Sequence, residues 1–185
     1  MFNKFIVWLK WDARHLHRDI IIGIKNLIKW FPVIWKDRNW DDHYIFEVLK
    51  FKLKNQSEYI GRYDRHVSAK RDAEIMMVCV RLIDKIQSDY YQAEYSDYHK
   101  TEFHFDDCKD MPSHKVLRIE ELETNFDDYF TKYPNIYKKV ISGENLPFKT
   151  ENERGIAMNI GHINHNRAVK LLFKIMENNI QNWWD

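Results

Sequence analysis

The chain is expected to be all-α: a single domain over residues 1–185, built as a bundle of about five helices with an irregular insertion at 93–119. Three observations lead there. Apolar residues recur at three- and four-residue spacing over most of the length. Gly and Pro number five and four, too few for the many turns of an all-β or linker-rich chain. Hydrophobic residues make up 44% of 185 residues, enough to build one core in a chain of single-domain length.

The first helix is expected over 17–31. Ile20, Ile24, Leu27, Ile28 and Phe31 form one apolar stripe, and Pro32, which lacks an N–H, should end it. Residues 33–42 have a turn-like, charged composition around Trp35 and Trp40. Asp41 or Asp42 can cap the next helix, because a short acceptor side chain satisfies free N–H groups of the first turn. That helix runs to about Ile60, with Ile45, Val48, Leu49, Leu53 and Ile60 inward and Gly61 as its stop. A third helix, 68–91, is apolar on two faces. One carries Ala73, Met76, Met77, Val80, Ile83 and Tyr90, the other Ile75, Leu82 and Ile86. Such a helix belongs in the middle of its domain.

Helical spacing is lost over 93–119. Glu102–Asp106 alternates with period two, Lys115–Ile119 does so loosely, and Pro112 and Ser113 lie between. A short two-stranded hairpin or an ordered loop fits. A lone hairpin is marginal, so it should lie against the helices. Helical spacing returns at Leu122, Phe126, Tyr129, Phe130 and Tyr133 and stops at Pro134. A short helical turn at Asn135–Ile141 and a loop from Gly143 to Pro147 follow. The last helix occupies much of 151–184, with Ile156, Ile160, Ile163, Leu171, Leu172, Ile175 and Ile180 as its core face.

The apolar runs Phe5–Leu9 and Ile20–Ile24 stop at Lys10 and Lys25. They are shorter than a signal-peptide core or a bilayer span, so no transmembrane segment is expected and the chain should be intracellular. Two Cys cannot make a disulfide framework. Cys79 sits in a helical run and should pack in the core.

Charge is segregated. Residues 1–71 hold 15 Lys and Arg against 8 Asp and Glu, while residues 94–128 hold 4 against 11. The densest basic stretch is Arg62, Arg65, His66, Lys70 and Arg71. It crosses the start of a helix, where free N–H groups favour an anion, so it could hold a phosphate or nucleotide. The plainer reading pairs it with the acidic 94–128 segment, and Asp64 or Asp72 could offset it locally. His162 and His165, three apart on one helix face, are the metal candidates. Two His alone fall short of the three protein ligands of a zinc centre, and hydrogen bonding beside Asn159 and Asn166 accounts for them more simply. Serine-elbow, phosphate-loop and dinucleotide-loop motifs are absent from the sequence. Of seven Trp, five lie in the first forty residues and two near residue 184. They suit packing first, a partner-protein surface second, and a base-stacking or membrane-interface face third.

Four segments resemble small proteins encoded by tailed bacteriophages and prophages: IKNLIKWFPVIWKDRNWD at 24–41, HVSAKRDAEIMMVCVRLID at 66–84, AMNIGHINHNRAVKLLFK at 157–174 and the closing Asn182-Trp183-Trp184-Asp185. The resemblance implies a viral protein working in a bacterial cytoplasm or carried in a virion. It carries over no catalytic residues.

The expected function is therefore non-enzymatic binding of a host or viral macromolecule, a protein partner first, with Trp35, Trp40, Trp183 and Trp184 as the candidate surface. The alternatives are nucleic-acid or nucleotide binding through residues 62–71, and a metal-dependent hydrolase or nuclease using His162 and His165 with Glu151 or Glu153. No cofactor is expected.

Overall fold

The computed structural model describes residue 6 and residues 13–38, 40–41, 43–64, 66–107, 114–143 and 146–183. It is mostly helical, with one two-stranded antiparallel sheet inserted between helices. The helices are α1 (Ala13–Ile34), α2 (His43–Tyr63), α3 (Ala69–Gln87), α4 (Tyr90–Ala93), α5 (Phe126–Lys132), α6 (Pro134–Ile141) and α7 (Glu153–Asn179). The strands are β1 (His99–Asp107) and β2 (Lys115–Thr124). Short 3₁₀ turns occupy Glu94–Tyr98 and Ile180–Asn182. The chain divides into two compact units, 1–55 and 56–185, with the boundary inside α2.

In the first unit, α1 is longer than the spacing predicted. Pro32 lies inside it rather than ending it. Proline lacks an N–H and its ring crowds the carbonyl four residues back, yet the next turn closes from Trp35 N–H to the Phe31 carbonyl at 2.9 Å. Trp30 packs edge-on against Phe51, ring centres 4.8 Å apart. The stripe expected to build core, Ile20, Ile24, Leu27, Ile28 and Phe31, is exposed throughout. On α2, Leu53 and Ile60 are buried, but Ile45 and Val48 are exposed. Asp41 does cap α2, its Oδ1 accepting from His43 N–H at 2.9 Å. Asp42 lies outside the described residues.

Gly61 does not stop α2. The helix runs on to Tyr63 and closes at Asp64, which takes the left-handed conformation at φ 46°. Aspartate tolerates that region better than most side chains, so the short acid does the work expected of the glycine.

The core of the second unit forms around α7. Phe126, Tyr129 and Phe130 of α5 and Ile136 and Val140 of α6 pack with Ala157 and Ile160 of α7. α3 packs on the same helix and buries Ala69, Ala73, Met76, Cys79, Val80, Ile83 and Ile86. Burial pushes the Cys79 thiol up to about 11, consistent with packing rather than reactivity. Met77 is only half-buried, and α3 ends at Gln87 rather than 91 because Asp89 turns left-handed at φ 52°. The buried face of α7 also differs from the predicted one. Gly155, Ala157, Asn159, Ile160, Gly161, Ala168 and Leu172 are inside, whereas Leu171 and Ile180 are exposed. Small residues face inward because neighbours approach closely. A Cβ on Gly161 would stand 2.9 Å from the Tyr91 carbonyl oxygen.

The buried carboxylate of this unit's core is paired. Glu94 is buried and accepts hydrogen bonds from Tyr133 Oη at 2.6 Å and from Lys132 Nζ. Burial, and then the bond to Glu94, hold the Tyr133 phenol above its ordinary range. The bond to Glu94 is the main reason the Lys132 ammonium holds its proton more tightly than usual.

Candidate functional site

The hairpin is the most exposed feature of the second unit. β1 pairs antiparallel with β2, with Phe103 opposite Ile119, Phe105 opposite Leu117 and His104 opposite Arg118. Successive side chains alternate across a strand, so Phe103, Phe105, Leu117 and Ile119 share one face. All four are exposed, Phe103 at 61% and Phe105 at 65%. Glu102, His104, Asp106, Arg118 and Glu120 occupy the other face. There His104 Nε2 stands 3.4 Å from Glu102 and 3.8 Å from Glu120, and Arg118 reaches Asp106 at 3.9 Å. The register slips once, between Lys100 and Thr101, the local signature of a bulge that bends and twists a strand.

The root of the hairpin is fixed. His99 stacks on Tyr95 at 5.7 Å and leans on Phe126 at 5.5 Å. Asn125 N–H donates to the Tyr98 carbonyl at 2.8 Å. Beside this root lies an open cleft of about 450 Å³ lined by Asp97, Tyr98, His99, Lys100, Thr124, Asn125 and Asp128. Two expectations are corrected here. Among the described residues the hairpin is held at its root, and Phe103, Phe105, Leu117 and Ile119 further along it are exposed rather than lying against helices. Leu122 belongs to β2, not to the following helix, because residues up to Thr124 pair across to His99.

The basic stretch is partly consumed internally. His66 Nε2 lies 3.0 Å from Asp72 Oδ2, and Ser68 Oγ donates to the same oxygen at 2.7 Å. Asp72 is buried in the first turn of α3, where the helix dipole favours a carboxylate. Burial alone would raise its pKa, but the bonds from Ser68 and His66, and the nearby Arg71 charge, hold it below the ordinary carboxylate value. Arg62, Lys70 and Arg71 are exposed. Arg65 lies outside the described residues. The expected pairing of this stretch with the acidic 94–128 segment does not occur among the described residues. That segment's carboxylates pair nearby instead: Glu94 with Lys132, Asp106 with Arg118, and Glu102 and Glu120 with His104.

His162 Nε2 and Asn166 Nδ2 are 2.8 Å apart, and the His162 ring meets Phe148 edge-on at 6.4 Å. His165 Nδ1 is buried without a partner. Glu151 and Glu153 are exposed. Among the described residues no three His, Cys, Asp or Glu side chains converge as metal ligands would. Asn159 turns away from the histidines to the backbone of Phe148.

The tryptophans separate. Trp35 and Trp40 are exposed, Trp40 at 83%. Trp40 lines a shallow cleft of about 600 Å³ with Asp37, Arg38, Asp41, Tyr44, Ile45 and Val48. Trp183 is buried, and its carbonyl accepts from Gln56 Nε2 at 2.7 Å. Trp184 lies outside the described residues.

Compared with family models, with curated proteins and with solved structures, the chain matches none. The alternation in 102–106 marks a strand in the sequence but does not by itself mark Phe103, Phe105, Leu117 and Ile119 as a site. The available signal was two aromatic residues two apart in an otherwise charged segment.

Proposed function

We propose that this chain is a non-enzymatic binding protein of phage origin that acts on a host or viral macromolecule, with a protein as the partner, in the bacterial cytoplasm or in the virion. The observation that carries the reading is the exposed sheet face of Phe103, Phe105, Leu117 and Ile119. Aromatic side chains dominate the energetics of protein contacts, and a two-stranded hairpin has outer edges that can accept a further strand. Carboxylates on the opposite face and along 94–128 suit a partner surface with an apolar centre and a basic rim.

The test is a pull-down from infected cells with the wild-type chain and with Phe103→Ser/Phe105→Ser. Both residues are exposed, so the variant should melt at the wild-type temperature. Loss of one defined partner in the variant supports the reading. Equal recovery by both proteins, or no partner together with absence of the chain from virions, overturns it.

A further inference from the structure

We propose that α1 is an interfacial helix that lies flat on an anionic lipid surface. The inference concerns the first unit and is independent of the hairpin. Placed at 100° per residue, Leu16, Ile20, Ile24, Leu27, Ile28 and Phe31 fill an arc of about 120°. Leu27 and Ile28 are each 70% exposed, and the other four are exposed as well. His17 is the single polar side chain within the arc. Arg18, Lys25 and Lys29 form one strip about 60–100° beyond one edge of the arc, Arg18 lies 3.6 Å from Asp19, and Asp19 is the only acidic residue in the helix.

Three features select a bilayer as the occupant. The first is charge. A second copy of α1 would bring four more Lys and Arg and one more Asp, leaving most of the basic strip uncompensated. An anionic headgroup layer neutralises it, and each Lys or Arg near such a surface contributes about 1 kcal/mol, or roughly fivefold in binding. The second is shape. The arc is wider than the narrow seam of a two-stranded coiled coil. The third is the aromatic end: Phe31 stacks near Trp35 at 5.1 Å, and both are exposed, as suits rings at headgroup depth. No helix among the described residues is long and apolar enough to cross a membrane, so α1 would lie in the plane with its apolar arc down and its cations at the headgroups.

Flotation of the full chain with vesicles tests this. Equal mixtures of phosphatidylcholine and phosphatidylglycerol should carry the protein, and pure phosphatidylcholine vesicles should not. Raising salt should weaken the binding. Lys25→Gln/Lys29→Gln should lower the partition coefficient about 25-fold, and Ile24→Glu/Ile28→Glu should abolish flotation. Circular dichroism and melting should be unchanged in both, since every substituted side chain is exposed. Failure of the wild-type chain to float with anionic vesicles overturns the proposal without recourse to a variant. So does equal flotation with uncharged vesicles, or a wild-type dimer that Ile24→Glu/Ile28→Glu converts to monomer with no vesicle binding in either.

Discussion

The side-chain amide of Asn159 clamps both backbone groups of Phe148. Its Nδ2 donates to the Phe148 carbonyl at 2.9 Å and its Oδ1 accepts from the Phe148 N–H at 3.2 Å. A further bond from Nδ2 reaches the Gly155 carbonyl at 2.9 Å within α7. Asn159 is fully buried, so the clamp ties the loop before α7 to the inward face of that helix's second turn.

Replacing Asn159 by Leu should therefore be costly. It removes the two bonds to the Phe148 backbone and the one to the Gly155 carbonyl, each contributing about 0.5–1.5 kcal/mol net. Urea unfolding should show a loss of at least about 2 kcal/mol, with an unchanged slope. A loss under about 0.5 kcal/mol, typical of a surface site, would mean the clamp does not form in solution.

The glycines should respond in opposite directions. A Cβ on Gly155 would stand 1.9 Å from the Lys149 carbonyl oxygen, a backbone atom. Gly155→Ala must shift the chain and should cost about 3 kcal/mol or more. Gly23 has nothing within 4 Å of the same position. Gly23→Ala should raise the helical signal of α1 and stabilise the helix by up to about 1 kcal/mol. Thermal melts and circular dichroism separate the two.

Asp72 should govern part of the acid response. Its folded pKa lies below the ordinary 3.8. A depressed carboxylate contributes stability that is present above its unfolded pKa and is lost as pH falls through the folded value. Stability should decline as pH drops below about 4, and Asp72→Asn should be less stable at pH 7 with a flatter decline. Parallel pH–stability curves for the two proteins would remove Asp72 from that role.

The depth of α3 is directional. Val80 is 5% exposed and Met77 is half-buried. Val80→Asp places a carboxylate without a partner in the core and should unfold the second unit, since the penalty approaches the whole marginal stability of about 5–15 kcal/mol. Met77→Asp can turn its carboxylate toward water and should leave a folded protein of lower melting temperature. Near-ultraviolet circular dichroism of the two variants decides it.

Helical class, the alternation at 102–106 and the core position of Cys79 were legible in the sequence, because each depends on residues within a turn or two of one another. Burial was not, because it depends on what packs opposite. Ile20, Ile24, Leu27 and Ile28 have the spacing of a core helix and lie exposed, while the polar Asn159, Asp72 and Glu94 lie inside. Each of these is satisfied by a partner set by the fold, Glu94 by Tyr133 from 39 positions away. The limits of β2 were undecidable locally, since Leu122 and Phe126 are four apart and suit a helix. Pairing of Thr124 with His99 makes that stretch a strand, because cross-strand hydrogen bonds are formed by residues far apart in the chain. The candidate site followed the same division. Period two announced a strand, but only the absence of a packed neighbour over Phe103 and Phe105 turned its apolar face into a surface.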